Sequence, residues 1–182
     1  MKITSLNIPE VLLIEPQVLG DSRGFFFESF REDIFKKETS LDISFVQDNH
    51  TKSFQGVLRG LHYQLPPHGQ GKLVRVIQGE VLDVVVDIRK SSPTLGQYIA
   101  EILSSDNKKQ LYIPEGFAHG FLTLSNTSEV LYKATNFYHP ESERCILWSD
   151  ATLNIKWPKG LKIEVSPKDL LAQNFKSSEL FS

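Results

Sequence analysis

Residues 73–88 of this 182-residue chain read LVRVIQGEVLDVVVDI and carry its clearest strand signal. Two runs rich in Val and Ile, Leu73 to Ile77 and Val81 to Ile88, are separated by Gln78-Gly79-Glu80. Short runs of this composition divided by a glycine-containing turn are typical of neighbouring antiparallel strands. The stretch therefore predicts a β-hairpin.

The second run also predicts how its strand is buried. Successive side chains of a strand point to opposite faces, so one face of the run is purely apolar. The other face alternates Val with Asp, through Val81, Asp83, Val85 and Asp87. This pattern favours a barrel or two-sheet roll over a parallel sheet, whose strands are apolar on both faces.

The rest of the chain repeats such short runs between turn signals. Helical periodicity occurs only near Glu32 to Lys37 and after Ser166. Ser166, followed by a proline and by Asp169 three residues on, is typical of a helix start, which alone would explain Asp169. The sequence predicts a mainly β protein with few short helices and one domain, 1–182.

Composition limits the classes of function. The chain is 40% hydrophobic and 23% charged, with a net charge of −2, so no basic field is available for nucleic acid or a membrane surface. A single cysteine, Cys145, cannot form an internal disulfide, and packing is its expected role. The N-terminus lacks a signal-peptide pattern, and no apolar run is long enough to span a membrane. We expect a cytoplasmic location.

Polar residues are concentrated in two neighbouring stretches, 45–51 and 56–64. Buried polar atoms need partners, so a ligand cavity explains them. Arg59 and His62 are three positions apart and would point to opposite faces of a regular strand. A bulge at Gly60 would bring both inward. The alternative is an exposed arginine and a hydrogen-bonded core histidine.

A second motif, Pro114-x-Gly116-x-x-His119, is the short motif that places a histidine at the mouth of cupin barrels. Metal-binding cupins also have a His-x-His pair, whereas this chain reads His62-Tyr63-Gln64. Ligands for a three-histidine metal site are therefore missing. The other histidines, in loop-like contexts, do not replace them. We expect no metal and no cofactor.

Taken together, these motifs closely resemble the dTDP-4-dehydrorhamnose 3,5-epimerase family, which has a cupin, or double-stranded jelly-roll, barrel. The resemblance extends nearly end to end. It is carried by DSRGFFFE (21–28), QDNH (47–50), GVLRGLHYQ (56–64), GKLVR (71–75), SPT (92–94), PEGFAHGF (114–121) and Tyr132-Lys133. Thr51, Phe54, Leu95 and Gln173 depart from the usual pattern, which bears on substrate fit.

The resemblance implies a role for each matching residue. His62 is the general base, paired with Asp169; Tyr132 is the acid opposite it, and Lys72 lies by the C4 oxygen of a dTDP-linked 4-keto-6-deoxy sugar. The substrate-binding set, with Arg23 and Arg59 on the diphosphate, is Arg23, Phe26, Glu28, Gln47, Asp48, Asn49, Arg59, Lys72, His119, Tyr138, Glu143 and Lys168. A homodimer with exchanged N-terminal strands is also implied.

The chemistry suits these residue types. Protons at C3 and C5 lie next to the ketone, so their removal gives an enolate that a cationic lysine stabilises. Inversion then needs a donor on the opposite face, and a phenol is competent. Taken singly, Lys72 could be a solvated lysine, and Tyr132, Phe26 and Tyr138 could be core. Rival functions are a single-carbon epimerase, a 3,4-ketoisomerase, a noncatalytic nucleotide-sugar-binding cupin and a metal-dependent oxygenase.

Overall fold

The computed structural model describes every residue, Met1–Ser182. It contains thirteen strands and two α-helices, α1 (Glu32–Thr39) and α2 (Pro167–Leu170), with 3₁₀ turns at Pro140–Ser142 and Phe175–Ser177. The strands are β1 (Lys2–Ser5), β2 (Leu12–Glu15), β3 (Leu19–Asp21), β4 (Gly24–Phe26), β5 (Gln47–Phe54), β6 (Leu58–Gln64), β7 (Lys72–Gln78), β8 (Glu80–Asp87), β9 (Tyr98–Ser104), β10 (Gln110–Ile113), β11 (Phe117–Thr123), β12 (Thr127–Ala134) and β13 (Glu143–Cys145). Both predicted helices are present; His50, expected in a loop, lies in β5.

Two antiparallel sheets form the barrel. The six-stranded sheet has the order β1-β2-β10-β7-β12-β5, and the five-stranded sheet has the order β13-β6-β11-β8-β9. Fourteen buried apolar residues, such as Val74 and Val130 from one sheet and Val85 and Phe121 from the other, form the core between them. The predicted jelly roll is confirmed.

The predicted hairpin at residues 73–88 is wrong. Both runs are strands, but β7 pairs with β10 and β12, whereas β8 pairs with β9 and β11. Gly79 alone joins them, with φ +75°, and a Cβ there would lie 2.1 Å from the carbonyl oxygen of Thr127. The chain passes at this corner from one sheet to the other, so the strands pack across the barrel.

Both faces of β8 are buried, each against a different part of the protein. Val81 and Val85 join the core between the sheets, beside Asp83 and Asp87, which are fully buried. The purely apolar face, which includes Val84 and Val86, packs under C-terminal residues such as Leu153 and Phe175. The C-terminal segment thus covers the outer face of the five-stranded sheet.

The outer face of the six-stranded sheet is covered by α1. Acidic residues in its first turn and lysines in its last suit the helix dipole. Phe35, its one buried residue, packs against Ile14, Leu73 and Tyr112.

Strands β3 and β4 form a separate two-stranded sheet. Phe25 and Phe26 on this hairpin are 61% and 66% exposed. Strand β5 is an edge of the six-stranded sheet, with β12 as its one neighbour. None of the helices is long and apolar enough to cross a membrane.

Candidate active site

Four predicted site residues line the space between the sheets from both sides. His62 in β6 and His119 in β11 belong to the five-stranded sheet and are direct partners in the pairing of those strands. Lys72 in β7 and Tyr132 in β12 belong to the six-stranded sheet. The histidines and the lysine–tyrosine pair are therefore carried by opposite walls of the barrel.

A bulge at Gly60 sets the position of His62, as the sequence predicts. Arg59 pairs with Phe121 and His62 with His119, so three steps along β6 match two along β11. Gly60 has φ +126°, and a Cβ there would lie 2.6 Å from the backbone of β11. Only glycine combines this conformation with such close approach.

His62 and Asp169 form a hydrogen-bonded dyad. His62 Nε2 lies 2.7 Å from Asp169 Oδ1, and the aspartate side chain is only 4% exposed. The backbone N–H of Gly60 donates to Oδ2 at 3.4 Å. Burial alone raises the pKa of Asp169, but the hydrogen bond from His62 and its charge outweigh burial and lower that pKa. An ionised carboxylate accepts a hydrogen bond, so Nε2 carries a proton; in the neutral imidazole the lone pair is then on Nδ1.

Helix α2 holds the aspartate. The Ser166 hydroxyl accepts a hydrogen bond from the backbone N–H of Asp169 at 3.1 Å. Ser166 is the N-cap and Pro167 the first helical residue, as predicted. The predicted helix start is therefore confirmed, but the explanation that Asp169 itself caps the helix is wrong, because its side chain binds His62 and Gly60, and Ser166 is the residue that caps.

Lys72 is buried beside His62 and Tyr132. Its Nζ donates to the backbone oxygen of His62 at 3.4 Å and lies 5.9 Å from the ring centre of Tyr132. Burial lowers the pKa of Lys72 to about 8, although Asp83 and Glu143 favour its charged form. It is therefore cationic near neutral pH but close to losing its proton.

Tyr132 has a free hydroxyl, which makes no hydrogen bond to another protein group. Burial raises the pKa of this phenol above its ordinary value, against the opposing charge of Arg59. The hydroxyl therefore stays protonated and is available to a ligand.

His119 belongs to a second, deeper carboxylate–histidine pair. Its Nε2 lies 3.0 and 2.9 Å from the two carboxylate oxygens of Asp83, which is fully buried. Burial lowers the pKa of His119 and outweighs the pull of Asp83 towards the charged form. Asp83 was not predicted as a site residue, although it lies on the face of β8 that alternates Val with Asp and faces the core between the sheets.

Arg59 connects the two sheets at the barrel mouth. Its Nε donates to Ser53 Oγ at 3.0 Å and its Nη2 to the backbone oxygen of Lys52 at 3.2 Å. Both acceptors lie on β5, across from the strand that carries Arg59. The guanidinium is held in place while the residue stays exposed.

Five further predicted residues form a continuous hydrogen-bonded rim. Glu143 accepts from the Tyr138 hydroxyl at 2.6 Å and from Lys168 Nζ at 2.5 Å. The backbone N–H of Tyr138 donates to Gln47, whose amide donates to Asn49. Tyr138 is 52% exposed, so the core interpretation is wrong for it, as it is for Phe26.

Four predicted residues lie away from this cluster in the single chain. Arg23 is on the β3–β4 turn, 87% exposed, with its guanidinium on Asp21 at 2.6 Å. Phe26 ends the same hairpin and Glu28 follows it. Asp48 pairs with Lys133 at 2.9 Å, on the opposite face of β5 from Gln47 and Asn49.

Gln64, which replaces the second histidine of metal-binding cupins, is used structurally. Its amide nitrogen donates to the backbone oxygens of His68 and Phe137, and its oxygen accepts from the N–H of His139. The Gln64 side chain therefore links the loop that contains His68 to the loop that contains Phe137 and His139.

The fold and the site define a jelly-roll enzyme of the cupin type, with titratable side chains on facing sheets. The chain belongs to the dTDP-4-dehydrorhamnose 3,5-epimerase family, whose model matches residues 5–177. The family consists of epimerases, and this chain is an isomerase of that kind.

Individual relatives agree with this assignment. The chain is 54% identical to the dTDP-4-dehydrorhamnose 3,5-epimerase of Shigella flexneri over 181 residues, 100% of this chain and 99% of the relative. It is similar to the Legionella pneumophila 3,5-epimerase solved with dTDP-4-keto-L-rhamnose, with TM-score 0.95, 49% identity, and coverage of 98% and 94%. A 3′-monoepimerase from Streptomyces bikiniensis, solved with dTDP-quinovose, has TM-score 0.93, 31% identity, and coverage of 97% and 91%.

Proposed function

We propose that this protein epimerises C3 and C5 of dTDP-4-dehydro-6-deoxy-D-glucose to give dTDP-4-dehydro-L-rhamnose, in the biosynthesis of dTDP-L-rhamnose in the cytoplasm. The observation that carries the proposal is the division of the proton-transfer groups between two walls. The His62–Asp169 dyad lies on one sheet and its attached helix, and Tyr132 lies on the other sheet. Inversion at carbon needs a base on one side of the ring and an acid on the other.

His62 is the base in this mechanism. Its Nε2–H is committed to Asp169, so the Nδ1 lone pair removes the proton next to the ketone. Asp169 fixes this tautomer and stabilises the imidazolium that forms. Because burial and capping hold Asp169, the imidazole keeps one orientation through the cycle.

Lys72 and Tyr132 complete the reaction. Removal of a proton beside C4 leaves negative charge on the C4 oxygen, and the Lys72 ammonium stabilises that enolate in a site screened from water. The Tyr132 phenol then donates its proton to carbon from the opposite wall. His119, kept neutral by burial, lines the pocket beneath.

The rim binds the nucleotide end of the substrate. Arg59 pairs with the diphosphate through its planar guanidinium. The exposed ring of Tyr138 packs against base or sugar, while Gln47, Asn49, Glu143 and Lys168 supply hydrogen bonds.

A homodimer accounts for three of the four residues that lie away from the cluster. We infer that the β3–β4 hairpin of each subunit reaches the active-site mouth of its partner and supplies Arg23, Phe26 and Glu28. Exposed phenylalanines on the hairpin and the free edge of β5 support this arrangement, since unpaired edges and apolar patches are normally covered.

The proposal is tested by proton exchange in heavy water. Purified protein is incubated with dTDP-4-dehydro-6-deoxy-D-glucose in D₂O, and C3 and C5 are followed by NMR. We expect deuterium at both carbons and the L-rhamno configuration in the product. Inversion at one carbon only would instead indicate a single-carbon epimerase, which the likeness to the Streptomyces enzyme makes the second candidate. Binding without any exchange would indicate a noncatalytic protein.

A further inference from the structure

The dyad has a third potential metal ligand beside it. Cys145 lies directly opposite His62 in the pairing of β13 with β6. Its Sγ is 3.7 Å from Asp169 Oδ1, the same oxygen that faces His62 Nε2 at 2.7 Å. The ligand atoms of His62, Cys145 and Asp169 all lie within 4.8 Å of one another.

This combination of nitrogen, sulfur and oxygen donors suits a soft or borderline divalent cation. Zn²⁺ takes Cys sulfur at about 2.3 Å and His nitrogen or carboxylate oxygen at about 2.0–2.2 Å, so its ligands lie roughly 3.3–3.6 Å apart. The present sulfur–oxygen separation, 3.7 Å, is close to the upper end of that range. The nitrogen–oxygen pair has to open by roughly 0.6 Å on that geometry, which the 31% exposed His62 ring can accommodate.

The surroundings also favour a cation. Asp169 is ionised. Burial and this carboxylate raise the pKa of the Cys145 thiol to about 12, so the thiol keeps its proton until a metal displaces it. Lys168 is a nearby cation, but its ammonium is paired with Glu143. Cys145 is partly exposed and lines a surface cleft together with these two residues.

We propose that His62 Nε2, Asp169 Oδ1 and Cys145 Sγ bind a thiophilic divalent cation of the Zn²⁺ or Cd²⁺ type, and that its binding shuts off the base. When the metal–sulfur bond forms, the thiol proton leaves to solvent. The metal takes the Nε2 lone pair, so a neutral imidazole then carries its proton on Nδ1. No lone pair faces the substrate. The inhibition rests on the role of His62 under the proposed function, whereas the binding rests on the geometry alone.

Cadmium binding is the direct test, because Cys145 is the only cysteine in the chain. Protein freed of metal with EDTA and then desalted is titrated with Cd²⁺, and the ultraviolet cadmium–thiolate charge-transfer absorption is recorded. We expect the absorption to saturate at one equivalent and to be absent in Cys145→Ser. Metal affinity in that variant should fall roughly tenfold or more, since even an outer-shell partner contributes about 10–100-fold. Absence of the absorption in the wild-type protein would overturn the site.

Activity is the second arm. Zn²⁺ should inhibit the wild-type enzyme and His50→Ala equally, because His50 pairs with Glu129 on the exposed face of β5. Cys145→Ala, compared with its own metal-free rate, should resist inhibition at least roughly tenfold better. Equal inhibition of all three proteins would place the inhibitory metal elsewhere and refute the proposal. Thermal unfolding checks that each variant is folded.

The two proposals fail differently. A wild-type protein that shows the cadmium–thiolate absorption but has no metal-free epimerase activity keeps the metal site and refutes the proposed function. A protein that binds Cd²⁺ at Cys145 yet stays fully active refutes the claim that the metal blocks the base.

Discussion

His62 Nε2 lies 2.7 Å from Asp169 Oδ1, although the two residues are 107 positions apart in the chain. The link joins the bulge of β6 to the single turn of α2. Because the Ser166 cap holds the backbone of Asp169, the orientation of the imidazole depends on a four-residue helix near the C-terminus.

The first prediction concerns this dyad. Asp169→Asn keeps the shape of the side chain but removes its charge, so the imidazolium loses its counter-ion and the tautomer is no longer fixed. We expect deuterium exchange to slow by roughly 10²- to 10⁴-fold with the fold intact, and His62→Ala to abolish exchange at both carbons. Glu129→Gln breaks the exposed His50–Glu129 pair of similar length, 2.9 Å, and is the matched control. Rapid deuterium uptake by His62→Ala would show that the base lies elsewhere.

The second prediction concerns diphosphate binding. Arg59→Ala removes the guanidinium that spans β6 and β5, and should weaken binding of substrate and of free dTDP alike. A charged hydrogen bond contributes about 1.5–3 kcal/mol, which corresponds to roughly 10- to 150-fold in affinity. Calorimetric titration with dTDP measures the effect, with the exposed Lys176→Ala as a control of equal charge change. An unchanged dTDP affinity in Arg59→Ala rules the role out.

The third prediction is a pH dependence set by Lys72. Its pKa is lowered to about 8 by burial, and its cationic form stabilises the enolate. The value of kcat/KM should therefore fall as pH rises through about 8, approaching tenfold per pH unit. Lys72→Arg, whose guanidinium keeps its proton, should lack this decline whatever its absolute rate. A decline that persists in Lys72→Arg belongs to another group.

The fourth prediction concerns acid stability at the buried carboxylate of Asp87. Burial alone raises the pKa of Asp87, but hydrogen bonds from Arg89, Ser92 and Thr94 outweigh it and lower that pKa to about 2. A lowered carboxylate pKa adds stability that is complete above the unfolded value, near 4, and is lost as pH falls towards 2. The contribution is on the order of 2 kcal/mol.

Urea unfolding at pH 7 and pH 3 measures this contribution. Asp87→Asn should lower the free energy of unfolding at pH 7 by about 2 kcal/mol or more, because the partly buried Arg89 loses its buried partner and keeps only the more exposed Glu10. The difference between variant and wild type should shrink at pH 3. Asp42→Asn is the control, since that carboxylate is 98% exposed. If the wild type and Asp87→Asn lose the same free energy of unfolding between pH 7 and pH 3, the lowered pKa assigned to Asp87 is contradicted.

Local patterns in the sequence predicted the positions of strands and helices better than they predicted which strands pair with each other. The alternation in β8 correctly predicted a barrel or two-sheet roll, and the Ser166 pattern predicted the start of α2. The same kind of reasoning made residues 73–88 a hairpin. Gly79 permits a tight turn in a hairpin and also at a corner between two sheets. The chain changes sheets here because β7 pairs with β10 and β12, whereas β8 pairs with β9 and β11.

The site was predictable where a motif marks it and not where tertiary contacts create it. Gly60 indicated the bulge that positions His62. In contrast, Asp83 and Cys145 become site neighbours only through tertiary contacts, with His119 on another strand and with Asp169 on helix α2. Asp83 is marked in the sequence only as one of two aspartates in an apolar strand, and Cys145 carries no local signal that distinguishes it from an ordinary core residue.

The last prediction separates the acid from the base. Tyr132→Phe removes the phenolic proton but keeps the ring, so packing against β7 and β5 should change little. His62 and Lys72 remain, so the enolate still forms and deuterium still enters at one or both carbons. Reprotonation from the opposite wall fails, and formation of the L-sugar should fall by roughly 10²- to 10⁴-fold. NMR in D₂O reads exchange and configuration together. L-sugar formed at a near wild-type rate would make Tyr132 only part of the cavity wall, with the proton delivered by another donor.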